Sequence, residues 1–180
     1  ASVSNLMPNM VKMSQASQVR LLEFAYIPPP EMIRERLGMA KGGKVQRSVR
    51  VRLVDGKPFS HLITHVPEAI ALHYNEMDLA NTPLFVLLER SGVKVDHASQ
   101  SISATLASHD VAQALDVTVG SPLISLTRVV FDEQGRGVEH LEALYRPDRY
   151  RFQIDLERNG NGDARYWEPR VGGGPTQGEG

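Results

Sequence analysis

The chain has 180 residues, of which 41% are hydrophobic and 23% charged, which suits one globular domain with its own core. Its formal net charge of −1 leaves no basic surplus for gripping a phosphate backbone, so DNA binding by this chain alone is not expected. The absence of cysteine excludes disulfides and thiolate metal sites. No apolar run approaches the ~20 residues needed to cross a bilayer, and no charged stretch followed by an apolar one opens the chain. A cytoplasmic protein without a membrane partner or signal peptide is therefore expected.

Residues 1–17 are rich in Ser, Asn and Met, and "SNLMPNMVKM" allows a short helix capped by Ser4, against the objection of Pro8. "VRLLEFAYI" (19–27) reads as a strand. "PPPEMIRERLGM" (28–39) reads as a helix opened by proline, striped by Met32, Ile33 and Leu37, and stopped by Gly38. "KVQRSVRVRLV" (44–54) alternates, with Val49, Val51 and Leu53 on one face and Arg50 and Arg52 on the other. "DGK" signals a hairpin turn into a return strand over 59–66. Pro67 and Pro83 each open a short helix, the second ending at Gly92. A strand over 97–106 follows, then a helix over 108–117 capped by Ser108, and strands over 122–132, 138–146 and 149–157. Beyond Glu157 the chain is rich in Gly, Asn and Pro, and 158–180 reads as a flexible tail after a domain spanning 1–157.

A repeat organises these elements. The order helix, strand, turn, strand, Pro occurs twice, so that Leu37 matches Leu115 and Arg50 matches Arg128, both at an offset of 78 (115 − 37 and 128 − 50). Two copies at this period imply a duplicated half-domain that closes one sheet. Consecutive hairpins imply antiparallel pairing with the helices on one face, in the α+β class.

Two strands carry candidate chemistry. Arg50 and Arg52 project from one strand face about 6.6–6.8 Å apart, close enough to grip one carboxylate or phosphate, although a solvated face with acidic neighbours would place them equally well. In "GVEHLEALYRPDRYRF" (137–152), Glu139, Leu141, Ala143 and Tyr145 share a face, so a carboxylate and a phenol bracket an apolar floor. His140, Glu142 and Leu144 take the other face. Asp148, Arg149 and Tyr150 read as structural groups where Pro147 turns the chain. His61 and His65 lack further ligands at metal spacing, so no metal or cofactor is called for. No nucleophile elbow, phosphate-binding loop or dinucleotide fingerprint is present.

The segments "RVRL", "HVP", "SATLASHDVAQALDVTVGSPLISLTRVVFDEQG" and "VEHLEALYRPDRYRFQIDL" together resemble the UTRA domain over roughly 19–157. That domain is the effector-binding, dimerising half of the HutC subgroup of GntR-type bacterial transcription regulators. The resemblance implies a chorismate-lyase-like fold, a central antiparallel sheet with flanking helices. It also implies a homodimer, a small and anionic effector, and DNA contact only through a winged helix-turn-helix domain that nothing in this sequence matches. Carried over residue by residue, the anion-gripping pair falls on Arg50 and Arg52, the hydroxyl-binding glutamate on Glu139 and a pocket tyrosine on Tyr145. Thr82 is the nearest match to a hydroxyl that completes the anion site, and Ser4 to one from the N-terminal loop. Sugar-phosphate-responsive members have a further glutamate where this chain has Leu62, with His61 beside it. The missing glutamate weakens an amino-sugar-phosphate reading, and a smaller or more aromatic anionic effector, such as a carboxylate, fits the resemblance at least as well. A ligand-free dimerisation module, in which Arg50, Arg52 and Glu139 would pair with one another, and a chorismate-lyase-type enzyme are the alternative readings.

Overall fold

The computed structural model describes residues 18–169. In chain order the main elements are β1 (Gln18–Ile27), α1 (Glu31–Leu37), β2 (Val45–Val54), β3 (Lys57–Pro67), α2 (Glu68–Ala71), α3 (Glu76–Asn81), α4 (Leu84–Arg90), β4 (Val95–Leu106), α5 (His109–Leu115), β5 (Pro122–Asp132) and β6 (Gly137–Tyr145). The six strands form one antiparallel sheet in the order β1-β2-β3-β6-β5-β4.

Local chemistry sets the element ends. The β2–β3 hairpin closes through Asp55 (φ 51°) and Gly56 (φ 74°), the paired left-handed residues that a tight hairpin needs. Gly38 ends α1 in the same region (φ 65°) and gives its N–H to the Glu35 carbonyl. Ser108 accepts a bond from the Val111 N–H to start α5. Helix α3 was not anticipated. "EMDLAN" is too short to show an apolar stripe, but Asn75 and Asp78 form a reciprocal capping box that fixes its start.

The duplication is visible in the topology. The unit strand, helix, hairpin occurs as β1–α1–β2–β3 and again as β4–α5–β5–β6, and the strand order is palindromic about the β3–β6 seam. Helices cover both sheet faces, not one. On one face Val66 packs with Tyr74, Leu79, Leu84 and Leu88 from the α2–α4 segment. On the other, α1 buries Ile33 and Leu37 against Val45 and Val129, while α5 buries Ala112 and Leu115 against Leu123. The connections explain this: the two repeated helices lie on one side, and the segment joining the repeats supplies the cover for the other.

The chain after β6 also differs from expectation. The strand expected over 149–157 does not join the sheet, because both neighbours of β6 are already β3 and β5. Instead β7 (Leu156–Asn159) pairs with β8 (Tyr166–Pro169) around a 3₁₀ turn at Gly162–Ala164, so the described part of the expected tail carries a small hairpin.

At the start of β6, a Cβ on Gly137 would lie 2.5 Å from the Leu37 Cα and 2.7 Å from its carbonyl oxygen. Backbone meets backbone there, so no side chain can yield. Gly137→Ala is expected to cost about 1–3 kcal/mol by overpacking, read as a fall in chemical-denaturation midpoint.

His65 and His140 are direct cross-strand partners on the face covered by α1 and α5, 4% and 0% exposed, with ring centroids 6.2 Å apart. Arg36 Nη1 lies 3.1 Å from His140 Nε2, while both ring nitrogens of His65 and Nδ1 of His140 are buried without a partner. Burial first, and then Arg47 beside His65 and Arg36 beside His140, hold both imidazoles down to about 4. Glu23 opposes this weakly at His65. The unfolded chain takes up these protons near pH 6.5 and the folded chain resists them. Their contribution is thus complete above that pH and is lost as pH falls towards 4, on the order of 2 kcal/mol per histidine at pH 5. The melting temperature is expected to drop more between pH 7.5 and 5 in the natural chain than in His65→Leu.

Candidate functional site

The register places four rows of side chains on the sheet face under α2–α4. Arg52, Ser60, Tyr145 and Ile124 form one row, and Arg50, Leu62, Ala143 and Leu126 the next. Ser48, Thr64, Leu141, Arg128 and Gln100 make the third, and Glu139 opposite Val130 the last. The centre is low, because Ala143, Ser48 and Thr64 are small, and the Ser48 and Thr64 hydroxyls bond each other at 2.5 Å. Long charged and aromatic side chains rise around it. Tyr74, just beyond α2, closes one side and donates its hydroxyl to Gln46 Oε1 at 3.3 Å. Tyr150 stacks on Tyr145 with centroids 4.2 Å apart and closes the other.

The electrostatics of this basin are unbalanced. Arg50 is 3% exposed, Arg128 and Glu139 each 8%, and Arg52 is half-buried. Burial, and then the neighbouring Arg52, bring the Arg50 guanidinium down to about 10, with Glu139 opposing. Burial raises the Glu139 carboxyl, and Arg128, Arg50 and Arg52 pull it back in that order. The Tyr74 phenol is pushed up by burial and then by Glu139. These couplings tie all the groups to one site. Yet the arginine–carboxylate ion pairs among the described residues are Arg34–Glu31, Arg47–Glu23, Arg136–Asp132 and Arg146–Asp148, and none involves this cluster. The Arg50 Nε is buried with no hydrogen-bond partner. Buried guanidiniums ordinarily have a paired anion, so this arrangement can bind one.

Of the residues singled out in the sequence, Arg50, Arg52, Glu139 and Tyr145 come together. Thr82 is half-buried at the C-terminal cap of α3, where its N–H bonds the Asp78 carbonyl, on the segment that covers this face. His61 does not belong with them. It pairs across strands with Val51 and Leu144, so the pleat turns it to the opposite face, where burial and then Arg47 lower its pKa. Ser4 lies outside the described residues.

Three contributors escaped the sequence reading: Arg128, Tyr74 and Tyr150. Arg128 had a signal, its match to Arg50 in the repeat. Tyr150 was grouped with the charges around it, which are indeed structural. Arg146 pairs with Asp148 and also donates to the Leu115 and Asp116 carbonyls, and Arg149 donates to the Pro58 carbonyl. That brace turns the chain so that Tyr150 falls back over Tyr145. A separate surface cleft of about 310 Å³ lies beside α1, lined by Pro28, Pro29, Glu31, Arg34, Lys41 and Lys44. Its Arg34 is already committed to Glu31 and the Met39 carbonyl.

The UTRA domain family matches residues 12–151. The HTH-type transcriptional repressor NagR of Bacillus subtilis is 26% identical over 140 residues, covering 77% of this chain and 57% of the relative. The HTH-type transcriptional regulator Rv0792c of Mycobacterium tuberculosis is 30% identical over 147 residues, covering 78% of this chain and 53% of the relative. The chain thus spans about half the length of these curated relatives. Among solved structures, a Streptomyces coelicolor protein assigned as a transcriptional regulator superposes with a TM-score of 0.72 at 32% identity, over 76% of this chain and 91% of that one. The ligand-binding domain of a Bordetella bronchiseptica protein assigned to the GntR regulators gives 0.74 at 25%, over 79% and 90%. The effector-binding domain of the B. subtilis trehalose repressor shares the fold, with a TM-score of 0.69 at 20% identity over 80% and 99%. With the six-stranded α+β fold and a family match across most of its length, this chain belongs to the UTRA family, the effector-binding domain of GntR-type transcription regulators.

Proposed function

We propose that this domain senses a small anionic metabolite on the arginine face and that, within a full-length cytoplasmic regulator, the bound ligand changes DNA affinity. The observation that carries this reading is the set of buried guanidiniums of Arg50 and Arg128, with Arg52 beside them, facing one carboxylate and paired with none. Burying a cation without an anion is costly, and an anionic ligand would relieve that cost. Arg50 and Arg52 grip the acidic group, Glu139 accepts from a hydroxyl or amine, and Tyr145 on its Tyr150 support packs against the body of the ligand. Thr82 from the covering segment and Ser4 from the N-terminal segment add hydroxyls.

For sensing to become regulation, the ligand must favour one arrangement of a homodimer over another by its differential binding free energy. The DNA-reading part would be a winged helix-turn-helix domain on the same polypeptide. That the NagR relative is named a repressor suits a ligand that releases DNA. Pairing of Arg50, Arg52 and Glu139 with one another would have supported the ligand-free dimerisation reading, and no ion pair among the described residues joins them. Among the described residues no helix is long and apolar enough to cross a membrane.

A panel of carboxylates and phosphate esters is expected to contain compounds that raise the melting temperature of the domain. Arg50→Ala should weaken their binding by roughly 10-fold or more, the worth of one charge-assisted hydrogen bond. A panel that leaves the melting temperature unmoved would count against sensing, and turnover of chorismate by the purified domain would replace binding by catalysis.

A further inference from the structure

The second repeat supplies a cation that mirrors the first. Arg50 stands opposite Leu62 across the β2–β3 pair, and Arg128 stands opposite Leu141 across the β5–β6 pair. The two pairs lie on either side of the β3–β6 seam, where Leu62 meets Ala143 and Thr64 meets Leu141. Arg50 and Arg128 therefore flank one apolar floor from opposite sides, three strand spacings across and one row apart along the strands, about 16 Å at the backbone.

Arg128 is also held in a particular way. Its Nε and Nη2 donate to Gln100 Oε1, at 2.8 and 2.6 Å, from the edge strand β4. A neutral amide fixes the guanidinium without neutralising it. Its remaining nitrogen, Nη1, makes no hydrogen bond among the described residues. If Arg128 served only to balance Glu139, the two would form an ion pair, and they do not. An oriented, un-neutralised, 8% exposed cation is a binding group in waiting.

Resting on the anion-sensing reading above, we propose that Arg128, oriented by Gln100, is a second anion-binding pole of the site and that the effector is a small diacid, gripped by Arg50 and Arg52 at one end and by Arg128 at the other. Its short carbon body lies over Leu62, Leu141 and Ala143. Glu139 stands beside the Arg128 pole and rejects acids whose second charge is misplaced.

The test uses isothermal titration of the 180-residue chain with linear dicarboxylates from malonate to adipate, with monocarboxylates of equal chain length, and with inorganic phosphate. At least one dicarboxylate is expected to bind roughly 10-fold or more tightly than its monocarboxylate, the contribution of one charge-assisted contact. Arg128→Gln should erase that preference by lowering dicarboxylate affinity roughly 10-fold, towards that of the matching monocarboxylate. Gln100→Leu, at an exposed edge position, should reduce it in the same direction and keeps the test decisive if Arg128→Gln fails to fold. Suppose instead that the preference survives both substitutions, or that a monocarboxylate or phosphate binds as tightly as any dicarboxylate, while Arg50→Ala still abolishes binding. The diacid inference is then overturned and anion sensing stands. No binding by any of these anions at millimolar concentration would overturn both.

Discussion

Three guanidiniums on one sheet face, against one carboxylate, is the constraint around which the rest of this structure arranges itself. A sheet face that packs under helices would ordinarily be apolar, and much of this one is: Val66 packs with Tyr74, Leu79 and Leu84, and Leu62, Leu126 and Leu141 pack with Ala143 and Tyr145. The flanks of that apolar floor are different. Arg50 and Arg128 are almost fully buried there, and the cost of removing them from water must be met by the surrounding fold. The α2–α4 core over Val66 and the opposite core over Val45, Val129 and Leu123 supply the apolar burial that offsets it.

The sheet topology determines which charges can meet. The palindromic order about the β3–β6 seam brings Arg50 on β2 and Arg128 on β5 to opposite flanks of the same two central strands. The same symmetry aligns His65 with His140 on the other face, where burial and nearby arginines keep both neutral. One face accumulates uncompensated positive charge, and the other excludes charge from the rings at its centre. The difference lies in side-chain reach: guanidiniums on long stems extend over a small-residue floor, whereas imidazoles on short ones stay under α1 and α5.

Strand phase made much of this legible in the sequence. Period-two alternation put Arg50 with Arg52 and Glu139 with Tyr145, and the register joined those two sets because β3 supplies one residue of each row between them. His61 was misplaced because it was judged by its position in a family pattern, while its own strand phase, opposite to that of Leu62, already excluded it. Arg128 was named as the partner of Arg50 in the repeat, but a one-dimensional match says nothing of whether the two residues share a sheet face. The fate of 149–157 was equally hidden. Its alternation is strand-like, and only the occupancy of both edges of β6 shows that no place remained for it. Helix α3 rests on a capping box, a signal of two residues that apolar periodicity does not register.

On the diacid reading proposed above, Gln100 would tune the site without touching the ligand. It sits on β4, whose side chains are mostly exposed, and its amide oxygen is the single acceptor for two nitrogens of Arg128. A carboxylate in its place would hold the guanidinium just as firmly but would cancel its charge, and an aliphatic side chain would leave it free to swing toward Glu139. The amide does neither, so the direction of the cation is fixed while its field remains directed at the basin. Changes at this one edge position would therefore alter the number of charges the site can compensate, while the floor, the Arg50 pole and the fold stay as they are.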